Sequence, residues 1–461
     1  MLCFKSSIPH LVEQAQRLVR QLQQSGYEAY FAGGCVRDTL RGKSFSDMDI
    51  ATSATPDEVA ALFPSQSIGV GKSFGVMLVV LNGISYDVAT FRTDGGYQDG
   101  RHPQTIAFSS AEHDAQRRDF TINALFYDPI AERLLDFVGG EADLRAGIIR
   151  AIGDPLCRFR EDRLRMLRAI RFAYTCDFVI EPTTWHALCH EAHTLGVVSI
   201  ERIRNEFLRT LCISAHPDCA LEALFNSQLL SVFFPELCVL RGCLQDPQWH
   251  PEGDVWAHTL RMLTLSPAPR DPMLVWAILL HDIGKPIALI VSTKPDGSPW
   301  YRTPGHAEIG ARMAASILRR FKECNEVVDS VVTAVRYHMQ FVELPKMKPS
   351  TARKMLGRAT MPIELELHRV DCLSSHAKLD FYDLACAQLE SFAHEPILPK
   401  PLITGEYLIS MGMSPSQALG KMLKDLYTAQ LDGANHQALQ LLAQEAIQAL
   451  HSAKYVTPEA N

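Results

Sequence analysis

No C-x-x-C occurs among the twelve cysteines of these 461 residues; they are scattered singly. That excludes a disulfide scaffold and reads as a reduced, cytoplasmic protein. Long apolar runs are missing too. The longest, MLVWAILL (273–280), is too short to span a bilayer and lies between Asp271 and His281, so no membrane partner is expected. The opening MLCFKSSIPHLVEQAQRL lacks a basic leader followed by an apolar core, and no signal peptide is expected. Nor is positive charge in excess. With 45 Lys+Arg against 52 Asp+Glu the net charge is −7, which argues against global attraction to nucleic acid and leaves room for a local basic face. There is no internal repeat and no low-complexity tract. What remains, 47% hydrophobic and 21% charged, is a soluble globular chain too long for one ordinary core.

The first part mixes strands with helices. EAYFAGG, MDIATS, GVMLVVL and ISYDVATF are β-rich and bounded by Gly, Pro, Asn or Ser, whereas HLVEQAQRLVRQLQQSG has helical periodicity and closes on Gly26. After Asp154-Pro155 strand-like runs nearly vanish. Amphipathic helices follow, broken at 246–253, 294–305 and 393–404. An α/β head carrying a long helical body is the expected architecture.

The chemistry begins at YFAGGCVRDTLRGKSFSDMDIATSATP (30–56). In a strand, Asp47 and Asp49 point one way while Met48 and Ile50 face the core. Two carboxylates this close repel unless a cation sits between them, and oxygen ligands at short spacing suit Mg²⁺, particularly Mg²⁺ already chelated by a triphosphate. Gly33-Gly34 allows backbone N–H groups to approach a phosphate, a helix starting near Val36-Arg37 adds its positive end, and Arg37 can hold phosphate oxygens. Asp87, on ISYDVATF, is the natural third carboxylate of a two-metal site.

AGGCVRDTLRGKSFSDMDIAT resembles the active-site signature of the class II tRNA nucleotidyltransferase and bacterial poly(A) polymerase family. Similar segments follow in order: TFRTDGGYQDGRHP (90–103), RRDFTINALFYDP (117–129), GDPLCRFREDRLRMLRAIRFA (153–173) and IERIRNEFLRTL (200–211). The resemblance implies an α+β nucleotidyltransferase (polymerase β-like) head with a mixed sheet over 1–152. A mostly α-helical neck for RNA and nucleotide binding (153–250), an HD domain (251–390) and a helical tail (391–461) would follow. It implies that Asp47 and Asp49, the two aspartates of the D-x-D, are catalytic and bind Mg²⁺, and the strand reading adds Asp87 as the third catalytic carboxylate. Arg118, Asp119 and Asn123 would contact the ribose and phosphates of the incoming nucleotide, and GGYQDGRHP would form a mobile loop beside the site.

In REDRLRMLRAIRF, read as helical, Glu161, Asp162 and Arg165 fall within one turn, and six arginines occupy 158–171. An ion pair on a solvated helix is the plain reading; the arginine density and the resemblance place this segment over a nucleotide instead. Cytosine and adenine each present an exocyclic amino donor beside a ring-nitrogen acceptor. A carboxylate that accepts (Asp162) and a guanidinium that donates (Arg165) complement both, and reject uracil and guanine. Glu161 would fix Arg165 or the helix start.

Farther on come His258 (VWAHTLRML), His281-Asp282 (WAILLHDIGKP), His306, His338 and Asp371. Imidazoles with carboxylates suit a transition metal such as Mn, Fe, Co, Ni or Zn better than Mg²⁺. The pattern resembles an HD-domain phosphohydrolase: His258, His281, Asp282 and Asp371 match its core ligands, and His306 and His338 the positions that support a second metal. HALCHEAH, with His186, Cys189, His190 and His193, is superficially zinc-like but reads as a polar helical face. The tail has Pro415-Ser416-Gln417 where relatives are closer to Pro-Gly-Pro.

The expected function is addition of CCA, or only CC or A, to tRNA 3′ ends from CTP and ATP, by a monomer or homodimer, with an HD-type phosphohydrolase activity besides. GKSFGV (71–76) is half of a poly(A) polymerase pattern and keeps that enzyme as an alternative; the acidic net charge and the absence of a basic tail in QALHSAKYVTPEAN weigh against it. A phosphohydrolase whose head is an RNA-binding relic is the remaining alternative.

Overall fold

The computed structural model describes residues 2–64, 66–69, 75–97, 103–392 and 394–454. Residues 71–74 of GKSFGV, 98–102 of the glycine-rich loop and 455–461 of the C-terminus lie outside the described residues. The chain divides into two compact units. The first comprises Met1–Val239, Pro267–Pro272 and Arg320–Lys322; the second comprises Leu240–Ser266, Met273–Arg319 and Glu323–Asn461.

The first unit opens with the helix Leu11–Gln24. Its apolar residues Leu11, Ala15, Leu18, Val19 and Leu22 recur at helical spacing, and all are buried. The chain turns out of it at Gly26, where φ is +89°. Strands then follow: β1 (Ala29–Ala32), β2 (Asp49–Thr52), β3 (Ser67–Ile68), β4 (Val76–Leu81) and β5 (Ile84–Thr90). After them come a hairpin of β6 (Arg92–Tyr97) and β7 (Pro103–Phe108), and then β8 (Phe126–Asp128) and β9 (Arg133–Leu135). Seven of these make one sheet in the order β3-β4-β5-β2-β1-β8-β9. β2 and β5 run parallel and the other neighbours antiparallel, so the sheet is mixed. The way from β2 toward β5 passes the helix Pro56–Leu62, whose start is fixed by a capping box: Thr55 Oγ1 accepts from Glu58 N–H and the Glu58 carboxylate from Thr55 N–H. Tyr30 and Phe126 both pack on Phe91, with ring centroids 6.0 and 6.1 Å away, and close one face of the sheet.

The rest of this unit is mostly helical, with one short parallel pair, Ile148–Ile149 on Val179–Ile180. REDRLRMLRAIRF is two helices rather than one: Pro155–Glu161 stops at Asp162, which is extended (φ −137°, ψ 105°), and Leu164–Cys176 begins after it. The cause is local. Asp162 Oδ1 accepts from Leu164 N–H, and short carboxylates favour such caps over helix interiors.

Among the helices of the second unit are Val255–Leu265, Pro272–Leu280 (its first residue in the first unit), His306–Arg320 (its last residue in the first unit), Asn325–Tyr337 and Met361–Ser374. Leu274 to Leu280 are buried without exception, which explains an apolar run lacking a polar face. The expected break at 294–305 is in part a strand: Pro299–Arg302 pairs antiparallel with Ile290–Thr293 around a turn at Lys294–Ser298. In the tail, Ser416 caps the helix Gln417–Leu431 by accepting from Leu419 N–H, so the departure from Pro-Gly-Pro still starts a helix. Among the described residues no helix is long and apolar enough to cross a membrane.

Candidate active site and a histidine-rich centre

Parallel pairing of β2 with β5 sets Asp49 directly opposite Asp87. Both line a cavity of about 550 Å³ together with Gly33, Gly34 and a set of arginines. Met48 and Ile50 are fully buried, as alternation requires, but the strand starts at Asp49. Asp47 precedes it, exposed, with Oδ1 accepting from Met48 N–H, and it is not part of the cavity wall. It still acts on the pair. Burial first, then Asp47, push the Asp49 carboxyl up to about 6, with Arg118 opposing and Asp87 adding; Asp87 is raised by burial and by Asp47. Burial and the nearby Asp47 thus hinder ionisation of Asp49 and Asp87; a bound cation relieves that, and all-oxygen donors fit Mg²⁺.

Gly33 is required twice over. Its φ is +68°, and a Cβ there would stand 3.3 Å from Arg118 Nη1 and 3.7 Å from Asp49 Oδ2. Its N–H donates to Leu125 O, so it is not a free phosphate donor, and its contribution is close approach. The helix begins at Gly34, earlier than expected. Arg37 donates to Asn123 Oδ1 (2.7 Å) and to Asp38. Asn123 Nδ2 donates to Asp119 Oδ1, and Arg168 Nε to Asp119 Oδ2 at 2.8 Å. Burial would raise Asp119, yet Arg168, Asn123 and Arg165 bring it down to about 2. Arg118 donates to Asp114 and to Asn123 O and lies over Phe126.

Asp162 and Arg165 border the same cavity. Arg165 Nη1 donates to Glu161 Oε2 at 2.6 Å and to Arg158 O, and Nη2 to Arg117 O. Asp162 Oδ2 accepts from Arg202 Nη2 at 3.2 Å. Arg202 and Arg209 were not singled out in the sequence, although their spacing of seven within IERIRNEFLRTL places both on one helix face, a readable signal.

The second unit gathers the histidines. His258 Nε2 approaches Asp371 Oδ1 at 3.1 Å, His281 Nε2 approaches Asp282 Oδ2 at 3.1 Å, and His306 Nε2 stands 3.5 Å from Asp282 Oδ1 and 3.2 Å from His338 Nε2. Among the described residues three ligand-like groups result: His258–His281–Asp371, Asp282–His306–His338 and, sharing His258, His250–Glu252–His258. Each Nδ1 is engaged: that of His281 by Ile278 O, His306 by Thr303 O, His338 by Val335 O and His258 by Glu252 Oε1 (2.6 Å). Carbonyls and carboxylates accept, so Nδ1 carries the proton and Nε2 is left to coordinate. His258 Nε2, His281 Nε2 and Asp282 Oδ1 are buried without a hydrogen-bond partner, and such atoms fit a metal. Burial opposes charging of His258, but Asp371 and Glu252 bring it up to about 9; Asp282, despite burial, is held well below the usual range by His281 and Lys285.

Glu252, His250 and Lys285 escaped the sequence reading, because a carboxylate six residues before a histidine in a loop carries no periodic signal. Lys285 Nζ binds Asp282 Oδ2 at 2.6 Å. Glu252→Gln is expected to weaken transition-metal binding about 10–100-fold, read by titration calorimetry, with folding retained. His186, Cys189, His190 and His193 join no metal-like group among the described residues; His190 pairs with Glu191.

Comparison with known proteins gives the family and the fold. Residues 29–150 match the poly A polymerase head domain, 177–240 the probable RNA and SrmB- binding site of polymerase A, and 255–372 the HD domain. The CCA-adding enzyme of Bacillus licheniformis is 34% identical over 348 residues, 73% of this chain and 85% of that one. The chain belongs to the CCA-adding enzyme family. Against the CCA-adding enzyme of Lactiplantibacillus plantarum identity is 40% over 249 residues, 53% of this chain, and the match spans only 60% of that relative's length. The crystal structure of the Bacillus stearothermophilus CCA-adding enzyme in complex with CTP superposes with a TM-score of 0.72 at 27% identity, covering 96% of this chain and 98% of that one. CCA-adding family membership thus rests on both sequence and fold.

Proposed function

We propose that this chain adds CCA to tRNA 3′ ends from CTP and ATP in the cytoplasm. The observation that carries the reading is that one cavity is lined by Asp49 and Asp87 and also by Asp162 and Arg165. Asp47, Asp49 and Asp87 would hold Mg²⁺, which when bound supplies charge to the triphosphate and acidifies the attacking 3′-hydroxyl. The chain's own groups do the rest. Gly33 lets the nucleotide come close to β2, Arg37 and Arg118 face its phosphates, and Asn123, held by Arg37 and Asp119, orients its ribose. Asp162 accepts from the exocyclic amine of cytosine or adenine while Arg165, braced by Glu161, donates to the neighbouring ring nitrogen. A tRNA lacking its last three nucleotides, given both nucleotides, should gain three and stop. Long tails from ATP alone on unrelated RNA would instead make the chain a poly(A) polymerase.

The histidine centre supports a second activity. The buried Nε2 atoms of His258 and His281, without a hydrogen-bond partner, favour phosphate-ester hydrolysis, for which His258, His281, Asp282 and Asp371, with His306 and His338, would hold a transition metal that acidifies a water. Lys285 is placed to bind the ester's oxygens. His281→Ala should abolish Mn²⁺- or Ni²⁺-stimulated phosphoesterase activity and leave nucleotide addition within about twofold, measured on the same preparation.

A further inference from the structure

Phe172 borders the nucleotide cavity and is 5% exposed. Three guanidiniums lie over its ring: that of Arg171 is 4.1 Å from the centroid, that of Arg37 5.0 Å and that of Arg168 5.2 Å. Arg168 and Arg171 come from the helix that carries Phe172, and Arg37 from the helix after the glycines. All three also line the cavity. Like charges gathered in a half-buried place repel. Arg171 is lowered by burial and by Arg168, with Glu206 opposing. Each guanidinium has its own carboxylate: Asp38 holds Arg37, Asp119 holds Arg168 and Glu206 holds Arg171. Among these contacts only the ring is common to all three. Phe120 packs edge-to-face against it (5.9 Å, 76°) and fixes its plane. The face of a benzene ring is its negative side, and it attracts cations within about 6 Å of the centroid.

We propose that Phe172 is a positioning residue for the triphosphate: its π face holds Arg37, Arg168 and Arg171 as one pre-arranged cationic wall of the cavity. This rests on reading the cavity as the nucleotide pocket. A polyanion with several oxygens gains from finding its cations already together, because their mutual repulsion is offset before it arrives. CTP should depend on the ring more than CMP does.

The test is a series at one position. Phe172 is replaced in the full chain by mono-, di- and trifluorophenylalanine, which keep the ring's shape while draining its negative face, and the dissociation constants of CTP, ATP and CMP are measured with Mg²⁺. Those of CTP and ATP should rise stepwise, to about tenfold with three fluorines, while CMP changes less and the melting temperature holds. Phe172→Leu, which removes the ring, should weaken CTP at least as much. Wild-type protein that binds CTP, with a flat fluorine series, overturns the proposal and spares the pocket reading. Wild-type protein that binds neither CTP nor ATP removes both.

Discussion

Asp49→Asn should lower kcat/KM for nucleotide addition by at least about 10³-fold, because one neutral amide replaces the carboxylate that both neighbours crowd. The same variant should fold better without metal. The Asp49 carboxyl is pushed up to about 6 in the folded chain, above its ordinary carboxylate value, so between those limits the native state holds more protons than the unfolded one. Stability of the metal-free wild type therefore falls as pH rises through about 4 to 6, and the whole penalty is present at pH 7.5. Metal-free Asp49→Asn is expected to melt above wild type at pH 7.5, with the gap closing toward pH 4. Mg²⁺ should then raise the melting temperature of wild type and do little for the variant. Unchanged chief activity in Asp49→Asn would favour a phosphohydrolase with a relic head.

Asp162→Ala should cost about 10²–10³-fold in kcat/KM for both CTP and ATP and narrow their advantage over UTP and GTP, since a hydrogen-bonding site discriminates chiefly through what it leaves unpaired. The structure adds a reason for the size of the effect. Asp162 sits in the break between two helices, its Oδ1 on Leu164 N–H and its Oδ2 on Arg202, so removal frees both the helix start and a guanidinium at the cavity. Arg165 would remain fixed by Glu161, Arg158 O and Arg117 O. Steady-state kinetics with the four nucleotides read the change, and loss confined to one of CTP and ATP would contradict a shared template.

Much of this was legible because it is local in sequence. Two aspartates one residue apart, adjacent glycines before a helix and a histidine next to an aspartate each carry their geometry in their spacing. Asp87 was also readable, as a carboxylate on a later strand, although only the parallel register sets it opposite Asp49. Other features show only in the folded chain. The Gly33 amide is taken by Leu125 O, the start of β2 leaves Asp47 outside the strand, and Asp162 breaks a segment whose composition is helical throughout. The ring of Phe172 looks like any apolar helical position until Arg37 is folded against it.

One measurement bears most directly on the central claim: kcat/KM for all four nucleoside triphosphates, on tRNAs ending before CCA and after CC, with Mg²⁺. Use of CTP on the first and ATP on the second, with UTP and GTP at least about 10²-fold poorer on both, is the expected result for a pocket that reads the base through Asp162 and Arg165. Equal use of all four, or ATP as the only nucleotide used on both RNAs, would contradict it.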